Sequence, residues 1–271
     1  MPFTAYVLAG LLIPTVAIVV GAFQDSAGNF TMSNVHTAMH GIYLQGFRQS
    51  VELSLLSAII PGIVGLLIAY AIHTTTRATV LRRIAITASA VFANFGGVPL
   101  AFLFIASLGT TGIVTSWLKA LGFDIYAGSF SLFTFTGVLL AYMYFQIPLM
   151  VLVILPALEG LRPAWREAAE NMGARTWHYW RYVGGPVLAP AFLGCLLLLF
   201  GSAFAAYATA NAMTAGALAL TPIQIGTFLN GNVLAGQENV GKALGLGMVV
   251  IIAVVMIIYT MLQRRAARWL Q

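Results

Sequence analysis

Six long runs almost free of charge decide what this chain can fold into. They cover about residues 3–23, 51–72, 84–108, 129–155, 186–210 and 240–262. A helix needs about 20 mostly apolar residues to cross the hydrocarbon core of a bilayer. Inside that core each backbone N–H and C=O must be satisfied within the segment, so the runs read as helices. Only 7% of the 271 residues are charged and 60% are hydrophobic, whereas a soluble domain carries about 25% charged residues. The chain therefore reads as an all-α membrane protein with about six transmembrane helices, organised as one domain over residues 1–271. Pro14, Pro61, Pro99 and Pro148 fall inside runs, where a proline removes a backbone hydrogen bond and kinks a helix.

The cationic residues orient the spans. Arg77, Arg82 and Arg83 lie between spans two and three; Arg162, Arg166, Arg175 and Arg181 lie between four and five; Arg264, Arg265 and Arg268 follow span six. The other side has Arg48 and Lys119, with Lys242 at the start of span six. Ten against three is a positive-inside bias that places both termini in the cytoplasm. The same distribution explains the net charge of +6 as a topology signal and excludes nucleic acid as a partner. The first run lacks a positive flank and a good cleavage site, so it reads as a retained span rather than a signal peptide. Cys195, the single cysteine, reads as a small buried hydrophobe.

The loop between spans four and five is unlike the rest of the chain. From Leu161 it reads LRPAWREAAENMGARTWHYWRYVGGPVLAP. Pro163 suits the first turn of a helix, and Glu167 and Glu170 favour its early turns. Gly173 suits a left-handed cap. The expected helix covers about residues 163–172, with Trp165, Ala168, Ala169 and Met172 at spacings that share a face. A second helix is expected over about 175–182, its Trp177, Tyr179, Trp180 and Tyr182 suited to the membrane–water interface. Read without further pattern, the segment is an interfacial helix pair linking two spans.

A pattern is present, however. Glu167-Ala168-Ala169, three residues, Gly173, nine residues, Val183, then Gly184-Gly185-Pro186 resembles the E-A-A-x3-G-x9-I-x-L-P motif of permease subunits of ATP-binding-cassette importers. Val183 stands for the motif's Ile, and Gly185 departs from its Leu. The six-span layout and the place of the motif between spans four and five also fit that family.

The resemblance implies the type I ABC importer permease fold, with a cytoplasmic coupling helix between spans four and five. It implies a transport subunit rather than an enzyme. Ala168, Ala169 and Gly173 would fit a groove on a separate ATPase, with Arg166 and Glu167 at its rim. The implied partners are two ATPase subunits, which carry ATP and Mg²⁺, an extracytoplasmic solute-binding protein, and a second permease, different in sequence in preference to a homodimer. No cofactor is assigned to this chain, and membrane lipid surrounds it in the bacterial inner membrane. The Phe204–Asn211 region, FAAYATAN, looks like the branch handling polyamines, ferric iron, thiamine and aminophosphonates, with polyamine favoured. Two other classes stay open: an ion-gradient secondary transporter, which would need intramembrane carboxylates, and a membrane scaffold.

Polar groups in spans are costly in lipid, so each is a functional candidate. Glu52, Asn94, Tyr142, Gln146, Tyr207 and Asn211 are candidates for the solute pathway, against the plainer reading of interhelical hydrogen bonding. Glu52 either attracts a cationic solute or pairs with Arg48 four residues before it. Gly236 to Ala243 nearly spells a phosphate-binding loop, but Ala243 lacks the Mg²⁺-binding hydroxyl and no strand precedes it. His36 and His40 have ligand spacing without a third ligand, so no metal site is assigned. No pairing of residues suggests catalysis.

Overall fold

A computed structural model describes residues 2–75, 79–128, 130–231, 237 and 239–268, leaving aside the side chains of 2–5, 7, 79 and 263–268. All regular structure among these residues is helical. One isolated bridge joins Gln24 and Phe30. The main helices are α1 (Pro2–Ala22), α2 (Ser33–Ala38), α3 (Gly41–Thr74), α4 (Thr79–Asn94), α5 (Gly97–Leu108) and α6 (Ile113–Ala120). They continue with α7 (Phe135–Glu159), α8 (Pro163–Asn171), α9 (Thr176–Tyr179), α10 (Gly185–Phe204), α11 (Ala208–Thr214), α12 (Thr221–Leu229) and α13 (Val240–Arg268). Five segments are long and apolar enough to cross a membrane: Gly41–Thr74, Gly97–Ala120, Phe135–Glu159, Thr176–Phe204 and Val240–Leu262. A sixth apolar stretch, Leu8–Ala22, is shorter and lies within α1.

The chain divides into two compact units. The first comprises Met1–Glu52 and Thr214–Val254. Its core joins Ala22, Ala38, Ala243 and Leu244, with Phe23, Val35, Phe47 and Phe228 packed around them. Two asparagines take carbonyls at the end of α1 and in the turn after it. Asn34 Nδ2 donates to Ala22 O at 3.3 Å and to Gln24 O at 2.7 Å, and Asn239 Nδ2 donates to Gln24 O at 2.8 Å. The Ser50 hydroxyl accepts the Thr221 N–H at 2.9 Å, one of the unpaired donors that open α12.

The second unit comprises Leu53–Met213 and Val255–Gln271. Helix α7 is its centre, packed on α4 and α10. Half of its spanning stretch is buried, against 6% for that of α13. Val138, Ala141, Tyr142, Met150, Ile154 and Leu158 are among its fully enclosed side chains.

The third expected span, 84–108, is not one helix. It breaks between α4 and α5 at Phe95-Gly96, with Gly96 extended (φ −122°) and Gly97 left-handed (φ +76°). Gly97 has no Cβ to penalise its left-handed backbone. Pro99 accordingly sits in the first turn of α5, where its missing N–H costs nothing, and not in a span interior. Pro14, Pro61 and Pro148 do lie inside α1, α3 and α7.

The second loop helix, expected over 175–182, does not stop there. After α9 the chain makes a wide π turn, Trp180–Gly184, and runs on into α10. Pro186 lies two residues past the turn. In an α-helix its ring would meet the carbonyl four residues back and its nitrogen could not donate. The widened turn falls at that place, with the Gly185 N–H reaching the Trp180 carbonyl.

Candidate functional site

The loop between α7 and α10 is built from its ends inward. Pro163 opens α8 after an extended Arg162 (φ −68°, ψ 128°). At the other end the chain closes in a Schellman motif. The Gly173 N–H donates to Glu170 O and the Ala174 N–H to Ala169 O, both at 2.9 Å, and Gly173 has φ +78°. The expected left-handed cap is thus present, and the short helix has the expected limits to within one residue.

The shared face divides differently from the spacing argument. Ala169 is buried (6% exposed), Met172 is open (81%) and Trp165 lies between (37%). Ala168 is exposed, as are Arg166, Glu167 and Gly173. Of the five residues singled out for coupling, four face outward and Ala169 is buried. The Arg166 Nε donates to Glu170 Oε1 at 2.9 Å. That hydrogen bond, reinforced by the carboxylate charge, raises the pKa of the guanidinium. The Arg162 guanidinium lies 5.9 Å from the centre of the Trp165 ring.

The loop is anchored on the bundle by aromatic rings. Trp180 meets Tyr70 of α3 edge-on at 5.4 Å, and Tyr179 is buried beside it. A Cβ on Gly184 would come within 3.0 Å of both the Tyr179 and Trp180 rings. A Cβ on Gly185 would collide with the Trp180 carbonyl, so the departure from the motif's Leu coincides with the π turn.

Four of the pathway candidates lie at two helix breaks in the second unit. Asn94 ends α4, its Nδ2 donating to Ala90 O at 2.9 Å. Tyr207 ends the break between α10 and α11 and Asn211 lies in the first turn of α11, its N–H on the Tyr207 carbonyl at 2.9 Å. Tyr142 is fully buried and donates its hydroxyl proton to Ala206 O at 2.7 Å. The two breaks are tied together by Thr209. Its hydroxyl accepts the Gly97 N–H at 2.9 Å and donates to the Gly97 carbonyl at 3.2 Å. The sequence showed Gly96-Gly97 and a polar Thr209, yet nothing in either says that they meet 112 residues apart.

Gln146 is fully buried one turn from Tyr142. Its Nε2 donates to Leu199 O at 2.8 Å, while Oε1 has no partner among the described residues. Glu52 belongs to the first unit and pairs with Arg48 at 2.8 Å. The His36 and His40 rings stack at 4.1 Å on α2 and its end. Among the described residues no group of three or more His, Cys, Asp or Glu is placed to hold a metal. Gly236 and Glu238 of the near phosphate-binding loop lie outside the described residues, as does Arg77.

The family model described as "Binding-protein-dependent transport system inner membrane component" matches residues 62–268. The thiamine transport system permease protein ThiP of Escherichia coli (strain K12) is 30% identical over 120 residues, covering 44% of this chain and 22% of that protein. The chain thus matches about a fifth of the length of that relative. The probable sulfate transport system permease protein cysT of Nephroselmis olivacea is 25% identical over 204 residues, covering 74% of this chain and 67% of that protein. Among solved structures, a chain of a bacterial ABC transporter involved in the import of the acidic polysaccharide alginate superposes with TM-score 0.77. That match has 18% identity and covers 98% of this chain and 93% of that one. A chain of the MetNI methionine ABC transporter, in an inward-facing conformation, gives TM-score 0.60 at 15% identity, covering 82% of this chain and 95% of that one. The break-tied helices and the Schellman-capped loop thus belong to a type I importer permease fold, and the chain is a member of the family of inner membrane components of binding-protein-dependent transport systems, the ABC permeases.

Proposed function

We propose that the chain is the transmembrane subunit of an ATP-driven importer and that α8 is the contact for a separate ATPase. The observation that carries this reading is the exposed α8, opened by Pro163 and closed by the Schellman motif at Gly173. A short helix with a fixed C-terminal end, presenting Arg166, Glu167, Ala168 and Gly173 to solvent, is a knob suited to transmit a push. Small Ala168 and Gly173 allow close approach, Arg166 and Glu167 supply charge at the rim, and the buried Ala169 seats the knob. The tied breaks at Gly97 and Thr209 are our candidates for the moving part of the solute pathway. Discontinuous helices line solute sites in other transporters, and Asn94, Tyr142, Tyr207 and Asn211 gather along them, with Gln146 one turn from Tyr142; Glu52, in the first unit, is a separate candidate.

ATP and Mg²⁺ would be held by two ATPase subunits. A second permease subunit and an extracytoplasmic binding protein would complete the assembly in the inner membrane, with both termini of this chain cytoplasmic. Named relatives handle thiamine and sulfate, and a structural neighbour belongs to an alginate importer. Thiamine is also among the solutes that the Phe204–Asn211 resemblance suggested, beside polyamine. Transport assays with thiamine, spermidine and sulfate, each with its binding protein, decide between them.

The coupling reading is tested by co-purification from native membranes. Wild type retains an ATPase with a complete phosphate-binding loop, and Ala168→Glu loses it. Ala168 is exposed, so this variant keeps its fold, which a thermal melt in detergent checks. Retention of the ATPase by a well-folded Ala168→Glu chain would sink the assignment.

A further inference from the structure

We propose that the cytoplasmic end of α4 binds the phosphate headgroup of an anionic phospholipid from the inner leaflet. Arg82, Arg83, Ile86 and Thr87 line a cleft of about 320 Å³. Their spacing places Arg83 and Thr87 one above the other on the helix, with Arg82 and Ile86 on the neighbouring ridge. Arg82 forms an ion pair with Glu159, the last residue of α7, through one terminal nitrogen. Its Nε is buried and has no partner among the described residues. A buried donor without an acceptor calls for an explanation, and an unseen ligand is one. Arg83 is exposed and has no ion-pair partner among the described residues. The cleft therefore carries two guanidinium groups against one carboxylate and keeps donors in reserve, the donor set that suits a phosphate diester.

The occupant is a lipid rather than a soluble phosphate because of what adjoins the cleft. Val80, Leu81, Ile84 and Val91 are all strongly exposed on the same helix. Val80, Ile84, Thr87 and Val91 form one stripe at helical spacing. An acyl chain running from Thr87 toward Val91 would leave its headgroup at Arg83 and Thr87. The arginine distribution puts this end of α4 at the cytoplasmic surface, where anionic headgroups lie and basic pockets between helices capture them. Nothing in the inference depends on the transported solute or on the ATPase.

The test is native mass spectrometry of the full chain in detergent. It is titrated with palmitoyl-oleoyl phosphatidylglycerol, with phosphatidylcholine of the same chains, and with inorganic phosphate as competitor. Phosphatidylglycerol adducts should exceed phosphatidylcholine adducts, with a preference that falls about fivefold on losing one arginine. Arg83→Gln leaves the Arg82–Glu159 pair intact, so a loss there is a loss of the site and not of the fold. Arg82→Gln combined with Arg83→Gln should reduce binding to the phosphatidylcholine level. Equal binding of the two lipids, or undiminished preference in Arg83→Gln, overturns the proposal. Phosphate adducts that are lost in Arg83→Gln, with no preference for phosphatidylglycerol, overturn the lipid and leave a soluble phosphate as the ligand.

Discussion

Ala168 and Ala169 are identical and adjacent, yet their surroundings are opposite. Ala169 is buried, and Ala168 is exposed. Enlarging the first overfills a packed contact, at about 1–3 kcal/mol, and enlarging the second costs within about 0.5 kcal/mol. Ala169→Leu should therefore lower the melting temperature in detergent while Ala168→Leu leaves it unchanged; equal shifts would contradict the packing. Asp124 offers a second contrast at this scale. It accepts the Tyr126 N–H at 3.0 Å and pairs with Lys119 at 3.3 Å. The backbone bond first, and then the lysine, lower its pKa from the model-peptide value of 3.8. A carboxyl with a depressed folded pKa supports its loop above the unfolded pKa and loses that support as pH falls through the folded one. Exchange of the Tyr126 amide should be protected at neutral pH and speed up, beyond the intrinsic pH trend, only below about pH 3.8. Asp124→Asn should remove that dependence.

At the scale of an element, the π turn before α10 is the most specific feature. Proline at 186 offers no N–H to the Tyr182 carbonyl and crowds it with its ring, which favours a widened turn just before it. Pro186→Ala restores the missing N–H and removes the ring, so α9 and α10 should merge into one α-helix. The register of residues 176–184 then changes by one position, a rotation of about 100°. In a background with Cys195 replaced by Ala, a cysteine at Trp177 is exposed and one at Tyr179 is buried. Thiol labelling at the two positions should converge or exchange in Pro186→Ala, and an unchanged pattern would show that the turn has another cause. The break between α4 and α5 obeys the same logic. Gly97 at φ +76° tolerates no side chain without strain of about 1–2 kcal/mol, and Gly97→Ala should loosen the Thr209 tie that joins it to α11.

For the whole molecule, the positive-inside arrangement makes a direct prediction. Met172 and Phe123 are both strongly exposed in loops assigned to opposite sides. In the same cysteine-free background, an impermeant maleimide should label Phe123→Cys in spheroplasts and Met172→Cys only in inverted vesicles. Labelling of both from one side would overturn the topology. Residue patterning alone determined the all-helical membrane class, the span at 240–262, the capped helix at Pro163 and the family to which the loop belongs. These are local or compositional signals: apolar length, arginine asymmetry, a proline at a helix start and a glycine at its end act within a few residues. Tertiary structure decided the rest. It turned Ala169 inward, tied Gly97 to Thr209, gave Tyr142 to the Ala206 carbonyl and set Arg82 against Glu159. Each of these joins residues that are locally alike but differ in what lies across the bundle, and only the packed helices bring those partners within reach.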